Sequence, residues 1–251
     1  KLFKGKLYKT DADIIHSESS PFDTALTFQN NPKLPKLITV QDLRSYKERK
    51  YLFSVGGEPH SLEWSIPKGL HVPLSWLTWH TAKNNIHHAD AVACQAHLLE
   101  PKILSIFKYK KPTLFLPNFI DIASFPSKKF DRPSVVWLGR LDHVKRVELA
   151  FELARLAPDV DFYILGKSHF PKRNEKYNLK YGNNKVPNVF LMGHQEGKVK
   201  EEILNKSWIL LNTSFYECLP VSFLEALAHG CALLSTRNPD SYTEKFGYYD
   251  P

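Results

Sequence analysis

The stretch from Trp208 to Thr236 limits the fold of this chain more than any other. An apolar run, Trp208-Ile209-Leu210-Leu211, reads as a buried strand and gives way to the polar turn Asn212-Thr213-Ser214. Glu217 follows in a loop, and Pro220 has the fixed backbone angle suited to the first position of a helix. Val221, Leu224 and Ala228 recur at helical spacing, Gly230 stands past the end as a cap, and residues 231–234 form a second buried strand. Glu217 therefore precedes a helix, and Glu225 lies inside it eight residues on. Helix N-termini attract anions through unpaired N–H groups and the helix dipole. Two carboxylates beside one suit hydroxyl groups, of a sugar or a ribose, rather than phosphate.

The same alternation runs through the chain. Residues 12–16, 35–40, 89–93 and 113–116 read as strands, and residues 70–88 (with Trp76 and Trp79) and 96–107 as helices. Residues 58–69, rich in Gly, Pro and Ser, read as a loop. A second series starts at Ser134, with strands over 135–138, 160–165 and 188–192. Val147, Ala150, Phe151 and Ala154 trace one helix face, and residues 199–204 a short helix. Alternating strands and helices give parallel sheets covered on both faces. The expectation is an α/β chain with two Rossmann-like lobes and a cleft between them, residues 1–126 and 127–251, linked through residues 119–133. The chain begins at Lys1 and stops at Asp250-Pro251 without a closing element, so it is read as a fragment with an incomplete N-terminal lobe.

Ligands of such sheets bind at the C-terminal ends of the strands. Arg140 directly follows a strand and Lys145 opens the next helix, at the same rim as Glu217. A guanidinium and an ammonium together suit a diphosphate; pairing of both with Asp142 on the surface stands as an equal alternative. Asp11-Ala12-Asp13 and Asp159-Val160-Asp161 spell the D-x-D of some metal sites, but both precede their strands at the opposite rim, so no metal site is expected. His87-His88 reads as a charge partner for a helix C-terminus, while His169 and His194 lie near strand ends where a nucleotide would sit.

The net charge of +8 lies almost wholly in residues 1–130. Each basic cluster alone reads as a solvated face. Together they suit a lobe resting on an anionic membrane surface or an anionic acceptor. Nucleic acid is not an expected partner, since no reader motif accompanies the charge. Cys94, Cys218 and Cys231 are scattered, which argues against a disulfide framework or zinc site and for a reducing compartment. No membrane span or signal peptide is visible.

With Gly139-Arg140, Lys145, Glu217 and Glu225 in this order, the chain resembles the GT-B glycosyltransferases of the family 4 retaining type (glycosyl transferases group 1). WLGRLDHVKR is similar to the family's donor-phosphate motif and ECLPVSFLEALAHGCALLST to its E-x7-E block; ADAVACQ and TLFLPNFID agree more weakly. The resemblance implies that Arg140 and Lys145 bind the donor diphosphate and that Glu217 contacts the donor sugar. Glu225 would meet the ribose, and the Leu219-Pro220-Val221-Ser222 stretch would add backbone N–H contacts to phosphate. Gly139 would belong to the phosphate turn, Gly193 and His194 would line the base, and His16 and Gln41 would face the cleft.

It also implies retention of anomeric configuration without a metal or other cofactor. The donor would be a nucleotide sugar; the basic N-terminal lobe suggests a glycan or lipid-linked acceptor in surface polysaccharide assembly. The place of action would be cytoplasmic, with peripheral contact at the inner face of the membrane. Three positions depart from the family pattern. Gln41 stands where many relatives have His, Cys218 where Gly is usual, and Asn238-Pro239-Asp240 where a Gly-rich turn is common. Gln41 motivates one rival reading, a sugar-nucleotide-binding module without transfer; an epimerase or hydrolase on the same fold is another.

Overall fold

The structure, a computed structural model, describes residues 8–18, 21–44, 48, 68–122, 128–168, 174–175, 177, 180 and 185–251, with backbone alone at 68–72 and 74–75. His169 and most of the expected 58–69 loop lie outside the described residues, as do six basic residues of the N-terminal clusters. Contacts divide the chain into two units, Lys1–Pro117 and Asn118–Pro251.

The first unit carries a parallel sheet of β1 (Ile15–Ser17), β2 (Lys36–Val40), β3 (Ala91–Cys94) and β4 (Leu114–Phe115), in that order. Its helices are α1 (Pro21–Asn30), α2 (Lys68–His88) and α3 (Leu99–Phe107). Ile38, Val40, Val92, Ala93, Leu99, Ile103 and Phe107 form its buried apolar part. The strand expected over 12–16 lies further on because Ile15 N–H donates to the Pro35 carbonyl (2.9 Å), pairing Ile15 with Lys36. The helix expected from Ala96 begins at Leu99, after a turn closed by Leu99 N–H on the Ala96 carbonyl. Helix α1 is absent from the sequence reading, because Thr24 and Phe28 are its only buried residues and so little apolar period shows. Trp79 packs on Phe107 with ring centroids 6.0 Å apart, whereas Trp76 is exposed.

The second unit follows a doubly wound plan. Its strands are β5 (Ser134–Leu138), β6 (Asp161–Leu165), β7 (Val189–Gly193), β8 (Ile209–Asn212), β9 (Ala232–Ser235) and β10 (Gly247–Tyr249). They form one all-parallel sheet in the order β10-β9-β8-β5-β6-β7. Helices α4 (Val147–Leu156), α5 (Gly197–Lys206), α6 (Val221–Ala228) and α7 (Tyr242–Phe246) connect or follow them. Strand residues alternate faces. Val135, Trp137, Phe162 and Ile164 meet the α4 residues Val147, Ala150, Phe151 and Ala154. Val136, Leu210 and Leu233 meet Ile203 and Leu204 of α5 and Phe223 and Ala226 of α6. Phe151 is fully buried, so its removal to Ala would cost about 3–5 kcal/mol.

The sequence reading assigns no element after residue 234, and the structure adds α7 and β10. Gly247–Tyr249 adds an edge strand beside β9, after a turn at Pro239–Ser241. Asp240 (φ 47°) and Ser241 (φ 61°) take the left-handed backbone there, and the Asn238 side chain accepts from the N–H groups of Thr243 (3.0 Å) and Glu244 (3.2 Å). The bend that glycines would allow is thus made by side-chain capping. No helix of the described residues is long and apolar enough to cross a membrane.

Candidate functional site

Strand order fixes where the site lies. The chain leaves β5 through α4 toward β6, and leaves β8 through α6 toward β9, so β5 and β8 are neighbours whose connections depart in opposite directions. The two loops that follow them open a crevice at the C-terminal rim, the place where doubly wound sheets take ligands. Residues 139–146 form one wall and residues 213–220 the other.

The first wall is shaped by Asp142. Its buried carboxylate accepts from the Lys145 N–H at 3.0 Å and caps the short 3-10 turn His143–Lys145. This fixes the start of the Lys145 side chain, whose Nζ reaches Glu217 Oε1 at 2.5 Å. The same carboxylate oxygen accepts from Ser214 Oγ at 2.6 Å and Asn212 Nδ2 at 3.0 Å. Glu217 is 9% exposed and Lys145 22%, so the pair is partly withdrawn from water and still open at one side. Arg140 is different. It is 55% exposed and meets the buried Asp142 at 3.4 Å, a loose contact. The sequence leaves open whether both cations turn to Asp142. Arg140 does so, and the Lys145 ammonium goes to Glu217.

Glu217 lies in the loop and Glu225 in α6, as expected. The helix begins one residue later than expected. Pro220, with ψ of 135°, is the N-cap in extended conformation, and Val221 is the first helical residue. The first N–H groups of α6 have no intrahelical acceptor by geometry and face this rim. Leu219 is buried, Ser222 half-buried and Val221 exposed. Cys218 is not among the described residues with positive φ, so its backbone accommodates a side chain without strain. Glu225 meets Lys200 of α5 at 2.6 Å. Gly139 donates to the Leu165 carbonyl at 3.1 Å, and Gly166 to that of Gly193 at 2.7 Å, joining the rims of β5, β6 and β7. His194 is exposed and pairs with Glu196 at 2.7 Å.

His16 and Gln41 belong to the first unit; His16 is the middle residue of β1 and Gln41 directly follows β2. One carboxylate collects both. Gln41 Nε2 donates to Glu18 Oε2 at 2.5 Å, and His16 Nε2 lies 3.5 Å from Glu18 Oε1 and 2.7 Å from Thr39 Oγ1. Asp161 of the second D-x-D opens β6 and pairs with Arg132 at 3.3 Å, which keeps it at the opposite rim. Among the described residues no three His, Cys, Asp or Glu converge as metal ligands. Cys94, Cys218 and Cys231 are free and buried.

Sequence reasoning missed Glu18, Lys200 and Arg146 as site residues. Lys200 carries no local signal, because its partner is 25 residues away; Glu18 meets Gln41, 23 residues away, as well as its near neighbour His16. Arg146 is adjacent to Lys145 and takes the left-handed φ of 47°.

Comparison with known proteins shows the family of the unit that carries this rim. Residues 120–247 match the family profile described as glycosyl transferases group 1. The chain belongs to the glycosyl transferases group 1. All the candidate residues of the second unit fall inside the matched segment, and His16 and Gln41 fall outside it. The chain is similar to a phosphatidylinositol N-acetylglucosaminyltransferase subunit of Homo sapiens, 30% identical over 152 residues, covering 55% of this chain and 28% of that protein. It is also similar to poly(glycerol-phosphate) alpha-glucosyltransferase of Bacillus subtilis strain 168, 25% identical over 216 residues, covering 80% and 30%. This chain therefore spans less than a third of either relative's length. HepE of Anabaena, solved in complex with UDP-glucose, matches with a TM-score of 0.67 at 13% identity over 92% of this chain and 61% of that one. At that identity the likeness shows the fold, and the group 1 chain has the GT-B architecture of two Rossmann-like units.

Proposed function

We propose that this chain carries the donor site of a retaining glycosyltransferase of the family 4 type, which moves a sugar from a nucleoside diphosphate to a glycan or lipid-linked acceptor. The observation that carries the reading is the Lys145–Glu217 contact at the β5/β8 crevice of the unit that matches the family. Lys145, exposed Arg140 and the first N–H groups of α6 are three sources of positive potential at one rim, suited to a diphosphate. The bonds to Glu217 gather on Oε1, which leaves Oε2 for a sugar hydroxyl. Glu225 offers a carboxylate to the ribose, and Gly193 and His194 line the base.

In the reaction the bond between the anomeric carbon and the phosphate oxygen breaks and a bond to the acceptor oxygen forms on the same face. The acceptor proton passes to the departing phosphate. Arg140 and Lys145 offset the charge that gathers on the leaving group, so no metal is required for that purpose. The two relatives' names specify a phosphatidylinositol and a poly(glycerol-phosphate), both anionic. An anionic acceptor fits the basic N-terminal residues, as does peripheral contact with the inner membrane face in surface polysaccharide assembly.

The test is thermal unfolding with UDP, GDP, ADP and CMP in turn, with Arg140→Ala in parallel. A nucleotide at about 100 times its dissociation constant adds roughly 2.7 kcal/mol of stability. A shift with one nucleotide that Arg140→Ala loses supports the reading. Incubation of the full-length protein with donor alone then separates transfer from hydrolysis or epimerisation, which would release free sugar or an isomer without acceptor.

A further inference from the structure

Beside the Lys145–Glu217 pair lies a second cation with no part in the donor chemistry proposed above. Arg146 Nε donates to the Thr213 carbonyl at 2.5 Å and Nη2 to Thr236 Oγ1 at 3.0 Å. Its guanidinium carbon lies 4.2 Å from the centroid of the Phe215 ring. Thr213 and Phe215 open the loop that carries Glu217, and Thr236 follows β9. One side chain thus joins the ends of β5, β8 and β9. Two further bonds tie the same pieces together: Phe215 N–H donates to the Val144 carbonyl at 2.8 Å, and the Thr213 hydroxyl to the Lys145 carbonyl at 2.6 Å.

The backbone of Arg146 is left-handed, with φ 47° and ψ 49°. An L-residue is strained there and glycine is not. A strained conformation held next to a site points to a use for the side chain. We propose that Arg146 is a positioning residue of the donor site. Its planar fork holds the Glu217 loop against the Lys145 turn, so that ammonium and carboxylate meet a donor in one fixed geometry. The proposal rests on the donor-site reading above. It concerns a residue that touches neither diphosphate nor sugar.

Arg146→Gly keeps the backbone free of strain and removes the clamp. Strain relief and lost bonds act in opposite directions on stability, so the melting temperature should hardly move. The dissociation constant for the nucleoside diphosphate that binds the unaltered chain should rise about tenfold. Arg146→Lys keeps the charge without the fork and should bind no better than Arg146→Gly. Thr236→Val removes one acceptor of the clamp without touching the Arg146 backbone and should give a smaller loss in the same direction.

Calorimetric titration with UDP, GDP and ADP reads all four proteins. Unaltered affinity in Arg146→Gly, or full recovery in Arg146→Lys, would overturn the clamp while the donor site stood. Should Arg146→Gly fail to fold, unchanged affinity in Thr236→Val would overturn it. If none of the three nucleotides bound the unaltered chain, the donor-site reading itself would fall, and the clamp with it.

Discussion

Lys145 and Glu217, 72 residues apart in sequence, meet at 2.5 Å where the loops after β5 and β8 face each other. The pair is partly buried, and removing one partner leaves the other charge poorly solvated. Glu217→Gln should therefore destabilise the protein, and a double-mutant cycle with Lys145→Met should give a coupling of about 1–2 kcal/mol. The same change frees the ammonium for phosphate. Nucleoside diphosphate affinity should hold or improve while turnover in the full-length enzyme falls roughly 100-fold. Equal loss of binding and turnover would show that Glu217 does not act on the sugar.

Arg140 lies at the same rim but is exposed and loosely paired with Asp142. Arg140→Ala should lower the melting temperature only slightly, because its 3.4 Å contact is loose and the buried Asp142 keeps the Lys145 N–H as a partner. Diphosphate binding should weaken by roughly 1.5–3 kcal/mol, the scale of a hydrogen bond to a charged group. Titration with a nucleoside diphosphate and with the bare nucleoside separates the two effects, because the nucleoside should bind both proteins alike.

What is legible in the sequence follows from range. Strands β5, β6 and β8 appear as apolar runs, and α4 and α6 as helical repeats, because buried faces impose those periods locally. The rule that ligands sit at strand C-termini is enough to bring Arg140, Lys145 and Glu217 to one rim. It does not say which cation Glu217 holds. That choice is made by Asp142, whose carboxylate caps the turn below Lys145. Helix α1, with two buried residues, and β10, a three-residue edge strand, have too little apolar pattern to show. The Lys200–Glu225 and Gln41–Glu18 pairs are hidden for another reason, as they depend on which elements become neighbours.

Gly166 has a role that its neighbours in sequence do not disclose. A Cβ there would lie 1.7 Å from the Gly139 carbonyl oxygen, so the loops after β5 and β6 approach only because none is present. In Gly166→Ala the Gly139-Arg140 turn must move. Stability should fall by about 3 kcal/mol, the upper part of the usual range for overpacking, with weaker diphosphate binding. Denaturant unfolding together with titration checks this. A loss of stability with intact binding would mean that Arg140 is positioned from elsewhere.

Cys231 links the second core to pH. Burial pushes its thiol up to about 11 from an ordinary 9.0, against a smaller lowering by Lys129. Its Sγ faces the Leu204 and Ser207 carbonyls at 3.2 and 3.3 Å, which accept from the thiol and would repel a thiolate. In the unfolded chain the group ionises near 9 and in the folded chain only near 11. Between those values the unfolded state binds fewer protons, so stability falls as pH rises, by roughly 2–3 kcal/mol across the window. Below pH 9 the contribution is fully present. Urea unfolding at pH 8, 9.5 and 11 should show this decline, and Cys231→Ala should flatten it by the same amount while lowering stability at pH 8 through the lost side chain. An unchanged slope in the variant would place the alkaline sensitivity on other groups, such as Tyr163, whose hydroxyl is also raised by burial and by Asp161.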